Sequence, residues 1–87
     1  MIRYTVLWRK EVVDKLAVLW ASYYDRPGLA EAADQIDAAL IADAHQQGNL
    51  FKVDQRAISR GPITVIFRVD EGDRKVIVEG IYLTDSN

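Results

Sequence analysis

The sequence contains no cysteine, which excludes both disulfide bonds and a thiolate metal site. Its single histidine, His45, is predicted on a helix two positions from Asp43, so the two side chains diverge, and we expect no metal and no cofactor. No apolar run approaches the roughly 20 residues that a membrane-spanning helix needs. The first residues also lack the cleavage site of a signal peptide. We therefore expect a cytoplasmic protein that makes no membrane contact.

The chain also lacks a large excess of charge of either sign, since it has 11 basic and 13 acidic residues and a net charge of −2. A dedicated nucleic-acid-binding protein is usually basic overall, so a role of that kind would depend on local clustering. A nucleophile motif and a glycine-rich phosphate loop are absent too, which leaves hydrolase and nucleotide-binding functions without support. The length of 87 residues predicts one domain, residues 1–87.

Two helices are predicted behind an opening strand. Residues 2–8 alternate as a strand with one buried face does. From about Lys10 the apolar spacing becomes helical, and the predicted core stripe is Val12, Leu16, Leu19, Trp20 and Tyr23. Asp25 is the expected N-cap of a second helix, with Pro27 in its first turn and Gly48 beyond its end.

The closing third of the chain predicts three strands in a meander, residues 51–60, 63–69 and 75–83. The resulting order is β-α-α-β-β-β. It predicts an α+β fold, with two helices packed on one face of a four-stranded, mainly antiparallel sheet.

The two faces of this meander differ in composition. Ile63, Val65, Phe67 and Val69 alternate onto one face of the middle strand, which predicts the core side. The opposite face is half apolar, and by the same alternation it carries Thr64, Ile66, Arg68, Ile77, Glu79 and Ile81. Such a face is typical of a partner-binding surface. Cover by loops or by the tail is the alternative.

Basic residues are spaced by four on the first meander strand, at Lys52, Arg56 and Arg60. In an unbroken strand all three would share one face, and Arg68 would join them from the next strand. That set favours an RNA-binding or acidic-partner surface, since arginine makes bidentate contacts with phosphate and carboxylate. The alternative is that Arg56 and Arg60 pair with nearby acidic residues. The predicted partner-binding residues are Arg56, Arg60, Ile66, Arg68, Ile77 and Ile81.

Three stretches of the chain carry a resemblance to a known family. They are residues 4–20 (YTVLWRKEVVDKLAVLW), residues 33–43 (ADQIDAALIAD) and residues 60–83 (RGPITVIFRVDEGDRKVIVEGIYL). These stretches resemble the RelE/ParE superfamily of bacterial toxins, and the resemblance covers essentially the whole chain. The resemblance implies the toxin half of a type II toxin–antitoxin pair, neutralised by a cognate antitoxin. One branch of the superfamily cuts messenger RNA on the ribosome, and the other inhibits DNA gyrase.

The nuclease residues carry over only in part. Lys52 and Arg56 would supply basic groups, and Tyr82 the aromatic near the C-terminus. Thr64 falls where the nucleases keep an arginine, and residues 83–87 contain no basic residue. Since such nucleases need cations at the scissile phosphate, the resemblance implies a toxin that binds a target such as gyrase. The alternatives are a ribosome-dependent endonuclease with a degenerate site and an inactive, orphan protein-binding domain that binds another protein or forms a homodimer.

Overall fold

The structure is a computed structural model of the chain, and it describes residues 3–44, 47–52 and 54–84. The elements follow in the order β1 (Thr5–Trp8), α1 (Lys10–Ser22), α2 (Arg26–Asp43), β2 (Asn49–Lys52), β3 (Gln55–Arg60), β4 (Ile63–Asp70) and β5 (Lys75–Leu83). The strands form one sheet in the order β1-β5-β4-β3-β2, antiparallel except that β1 runs parallel to β5. The predicted α+β class, with two helices on a mainly antiparallel sheet, is confirmed. No helix in the described ranges is long and apolar enough to cross a membrane.

The sheet has five strands rather than the predicted four, because the first predicted meander strand folds back on itself. β2 and β3 pair antiparallel, with Leu50 opposite Arg56 and Lys52 opposite Gln55. Asp54, a residue type that favours turns, lies between them. The predicted unbroken strand over residues 51–60 is therefore wrong, and Lys52 does not share a strand with Arg56.

The second helix forms most of the helical side of the core. Asp25 caps it, since its Oδ1 accepts a hydrogen bond of 3.0 Å from the backbone N–H of Gly28. Its buried residues are Leu29, Ala32, Ile36 and Leu40. The first helix is less buried: Val12 lies in the core, but Trp20, predicted there, is largely exposed.

The chain leaves the second helix through a position that only glycine accommodates. Gly48 has a φ of +70°, and a Cβ there would come within 2.3 Å of the carbonyl oxygen of Ala57. This close approach brings the start of β2 against β3, and it explains the glycine that was predicted beyond the helix end.

A β-bulge at Glu79 sets the faces of β5. Ile66 pairs with Gly80 and Phe67 pairs with Val78, so Glu79 has no partner residue on β4. The extra residue shifts the alternation by one position, which puts both Val78 and Ile81 on the helix side. Ile81 lies opposite Val65 and is only 2% exposed. The prediction that Ile81 lies on the outer face with Ile66 and Ile77 is therefore wrong.

This register can be tested by truncating the two isoleucines of β5. Ile81→Ala should lower the free energy of unfolding by about 2–5 kcal/mol, because it leaves a cavity in the core. Ile77→Ala should cost about 1 kcal/mol or less, because Ile77 is only half-buried on the outer face. Urea unfolding of the two variants measures both values. Equal costs would contradict the bulge.

Candidate functional site

The sheet surface opposite the second helix, here called the open face, is built from three cross-strand rows. The strand pairing gives the rows as Leu7–Ile77–Arg68, Gly80–Ile66–Ala57 and Tyr82–Thr64–Ser59. Residues directly opposite each other in neighbouring strands project to the same side. Their neighbours in sequence, such as Val65 and Val78, project into the core.

A cluster of charge surrounds Glu79, between the first two rows. Its carboxylate accepts hydrogen bonds from Gln55 Nε2 at 2.8 Å, from Arg9 Nη2 at 3.2 Å and from Arg68 Nη2 at 3.2 Å. The Glu79 side chain is only 10% exposed, whereas both arginines are about half exposed. One buried carboxylate therefore binds two cations whose outer sides contact solvent.

Three hydroxyl groups form a hydrogen-bonded chain around Thr64, the position at which the related nucleases keep an arginine. Thr64 Oγ1 lies 2.6 Å from Ser59 Oγ and 2.5 Å from Thr84 Oγ1. Thr64 is buried, while Tyr82 beside it is 44% exposed. These residues border an open groove of about 630 Å³ that Asn49 and Arg60 also line. The groove lining given by the described residues contains hydroxyl, amide and guanidinium groups and no carboxylate.

The predicted basic face does not form. Arg56 lies opposite Phe67 and Arg60 opposite Ile63, so both arginines belong to the helix side of the sheet, whereas Arg68 lies on the open face. Arg56 donates from Nε to the carbonyl oxygen of Gln47 at 2.9 Å and from Nη2 to that of Gly48 at 3.4 Å. Among the described residues, its partners are thus carbonyl groups after the second helix. The Lys52 side chain lies outside the described part of the structure.

Two of the three predicted catalytic residues, Arg56 and Tyr82, are likewise not brought together, and the third, Lys52, has its side chain outside the described part of the structure. Arg56 projects to the helix side, whereas Tyr82 lies on the open face. Residues on opposite faces of a sheet cannot contact the same scissile phosphate, so Arg56 and Tyr82 do not share a reaction site.

The apolar part of the open face is smaller than predicted and lies at a different place. Ile66 is buried, and Ile81 lies in the core. Ile77 stays half-buried beside Leu7, which is 46% exposed. The alternation of residues 2–8 already turned Leu7 outward, but only the parallel pairing of β1 with β5 places it beside Ile77.

Sequence reasoning also missed two donors at the open face, Arg9 and Gln55. Each comes from a different element from Glu79, so no local spacing joins them. The one available signal was an acidic residue within the otherwise apolar strand VIVEG.

Acid–base and metal chemistry find little support in the described residues. Burial, and then a hydrogen bond of 2.9 Å to Glu71 Oε1, raise the pKa of the Tyr4 phenol. It is therefore protonated at neutral pH. No group of three histidine, cysteine, aspartate or glutamate residues in those ranges could hold a metal ion. His45 lies outside them.

Substitution of Arg56 separates a structural role from a catalytic one. Arg56→Ala should lower the free energy of unfolding by about 1–3 kcal/mol, because two carbonyl groups lose a charged donor. Arg56→Lys should not restore it, because a lysine lacks the planar fork that bonds both carbonyls. Urea unfolding measures the change. Unchanged stability in both variants would contradict the structural role.

Comparison with known proteins identifies the fold. No protein-family model and no curated protein matches the sequence. The chain is similar to a chain in the crystal structure of the toxin–antitoxin complex RelBE2 from Mycobacterium tuberculosis. The TM-score is 0.76 at 18% identity, and the alignment covers 94% of this chain and 99% of that chain. The chain therefore has a RelE-like fold, as the sequence resemblance implied.

Proposed function

We propose that this protein is the toxin component, or a toxin-like relative, of a bacterial type II toxin–antitoxin system. The observation that carries the proposal is the fold, which this chain shares over 94% of its length with a chain of a toxin–antitoxin complex. A cognate antitoxin is the expected partner, since the similar chain was crystallised in such a complex. The cellular target is a protein such as gyrase.

Target binding is favoured over messenger-RNA cleavage by the charges of the open face. Arg9 and Arg68 are both bound to Glu79, and Arg56 lies on the other side of the sheet. Thr64 is held in a hydroxyl chain where a nuclease would place an arginine. Cations that already have partners are poorly placed to stabilise charge developing on a phosphate. A degenerate endonuclease is therefore the second candidate function.

The contact surface that we propose for a protein partner is the row Leu7–Ile77–Arg68. It combines two exposed or half-exposed apolar side chains with an arginine at its border, a composition that interfaces favour. Arg60, which was predicted to belong to this surface, lies on the helix side of the sheet and is not part of the row. A homodimer or an orphan binding domain would use the same row, but neither would stop growth.

The toxin proposal predicts growth arrest. Inducing the chain alone in a bacterial host should stop colony formation, and co-expressing the product of the adjoining open reading frame should restore it. The measurement is colony count after induction, with the soluble protein quantified in parallel. Normal growth with soluble protein present would count against the toxin and favour the orphan binding domain.

A matched pair of variants connects that arrest to the proposed surface. Ile77→Asp puts a charge in the middle of the apolar row and should relieve the arrest. Val18→Asp makes the same chemical change at an exposed position of the first helix and should leave the arrest intact. Both variants need soluble levels equal to those of the parent chain.

We expect no cleavage of ribosome-bound messenger RNA by this protein. A primer-extension assay on ribosomes programmed with a defined message should show no new stop when the purified protein is added. The reason is that the two open-face arginines, Arg9 and Arg68, are already bound to Glu79. A clean cut in the ribosomal A site, lost in Tyr82→Ala, would overturn target binding as the mode of action.

A further inference from the structure

The side chains around Glu79 form an anion-binding site whose anion is part of the chain itself. Three donors converge on this one carboxylate: Arg9 from the junction of β1 and α1, Gln55 from β3 and Arg68 from β4. Two guanidinium groups and an amide around one small anion are the donors that bind phosphate as well as carboxylate.

The exposed fractions of the Glu79, Arg9 and Arg68 side chains show which group a ligand from solvent would contact first. The carboxylate is 10% exposed, and the arginine side chains above it are 53% and 48% exposed. A phosphate arriving from solvent would therefore reach the guanidinium groups before the carboxylate. Both groups already donate to Glu79, and its negative charge lies directly behind them.

We propose that Glu79 is an internal anion that closes this site to the phosphodiester backbone of single-stranded RNA. In the native chain the two arginines are compensated, and the open face rejects RNA. Removing the carboxylate's charge converts Arg9, Gln55 and Arg68 into a site for an RNA phosphate. This inference concerns the open face alone and does not depend on whether the chain is toxic.

The surroundings of the cluster explain why the excluded ligand is a nucleic-acid strand rather than free phosphate. Glu79 and the half-exposed Tyr82 line the same cavity of about 300 Å³, together with Glu11 and Lys15 of the first helix. A base next to a phosphate bound at the arginines could stack on that aromatic ring, as bases do on single-strand-binding proteins. The hydroxyl chain at Thr64 lies opposite Tyr82, further along the same face.

The experiment compares RNA binding by the native chain and by Glu79→Gln. A short fluorescein-labelled oligoadenylate is titrated at low salt, and its fluorescence anisotropy is followed. Glu79→Gln keeps an acceptor for Gln55 but removes the charge, and it should bind at least about tenfold more tightly than the native chain. Its affinity should also fall more steeply with added salt, because two arginines now displace counterions from the RNA phosphates.

Matched controls separate the site from net charge. Glu31→Gln, on the second helix, changes the net charge by the same amount and should leave RNA binding unchanged. Glu79→Asp keeps the charge and should also show no gain. Adding Arg68→Gln to Glu79→Gln should abolish the gain. Inorganic phosphate is then added in excess to the complex of the Glu79→Gln variant with RNA. If it displaces only a small part of the RNA, the variant recognises the RNA strand and not phosphate alone.

Two results would overturn the inference. One is a Glu79→Gln variant that binds the oligoadenylate no more tightly than the native chain or Glu31→Gln. The other needs no substitution at Glu79: if the native chain binds the RNA and Arg68→Gln weakens that binding, the site is already open. If inorganic phosphate displaces all the RNA at a concentration equal to that of the RNA phosphates, the excluded ligand is not an RNA strand. None of these results bears on growth arrest, so failure here and failure of the toxin proposal are distinguishable.

Discussion

The bulge at Glu79 is the constraint on which the two faces of the sheet depend. By adding one residue to β5, it lets Val78 and Ile81 both enter the core, while Glu79 projects to the opposite side. There the carboxylate joins the start of the first helix, β3 and β4 through three side-chain donors. An exposed ion pair contributes little to stability, but a largely buried carboxylate leaves an uncompensated charge if its partners are removed. The bulge thus fixes core packing and surface charge together.

This arrangement bears directly on function. The chain has a net charge of −2, and the arginines that face outward beside the apolar row are bound to Glu79. The open face of this chain is therefore a compensated, partly apolar surface rather than a cationic one. Protein partners suit such a surface, because interfaces bury apolar side chains and a few hydrogen-bonded charges. A phosphodiester would need cations without partners on that face.

Local signals in the sequence were sufficient for the helices, the Asp25 cap, the core side of β4 and the fold class. Each of these depends on residues a few positions apart, such as the spacing of Leu29, Ile36 and Leu40. Long-range pairing decided the rest. One bulged residue reversed the face of Ile81, and the turn at Asp54 divided one predicted strand into two. The same hairpin puts Lys52 and Arg56 on different strands and lets Arg56 reach the carbonyl groups of Gln47 and Gly48.

The central claim is that Glu79 holds Arg68 on the open face, and a double-mutant cycle between the two residues tests it most directly. The free energy of unfolding is measured by urea denaturation for the native chain, Arg68→Gln, Glu79→Gln and the double variant. The structure predicts a coupling energy of about 1 kcal/mol, because the pair is half exposed on one side and buried on the other. Additive effects of the two substitutions would show that the arginine is not held by Glu79 and would contradict the account.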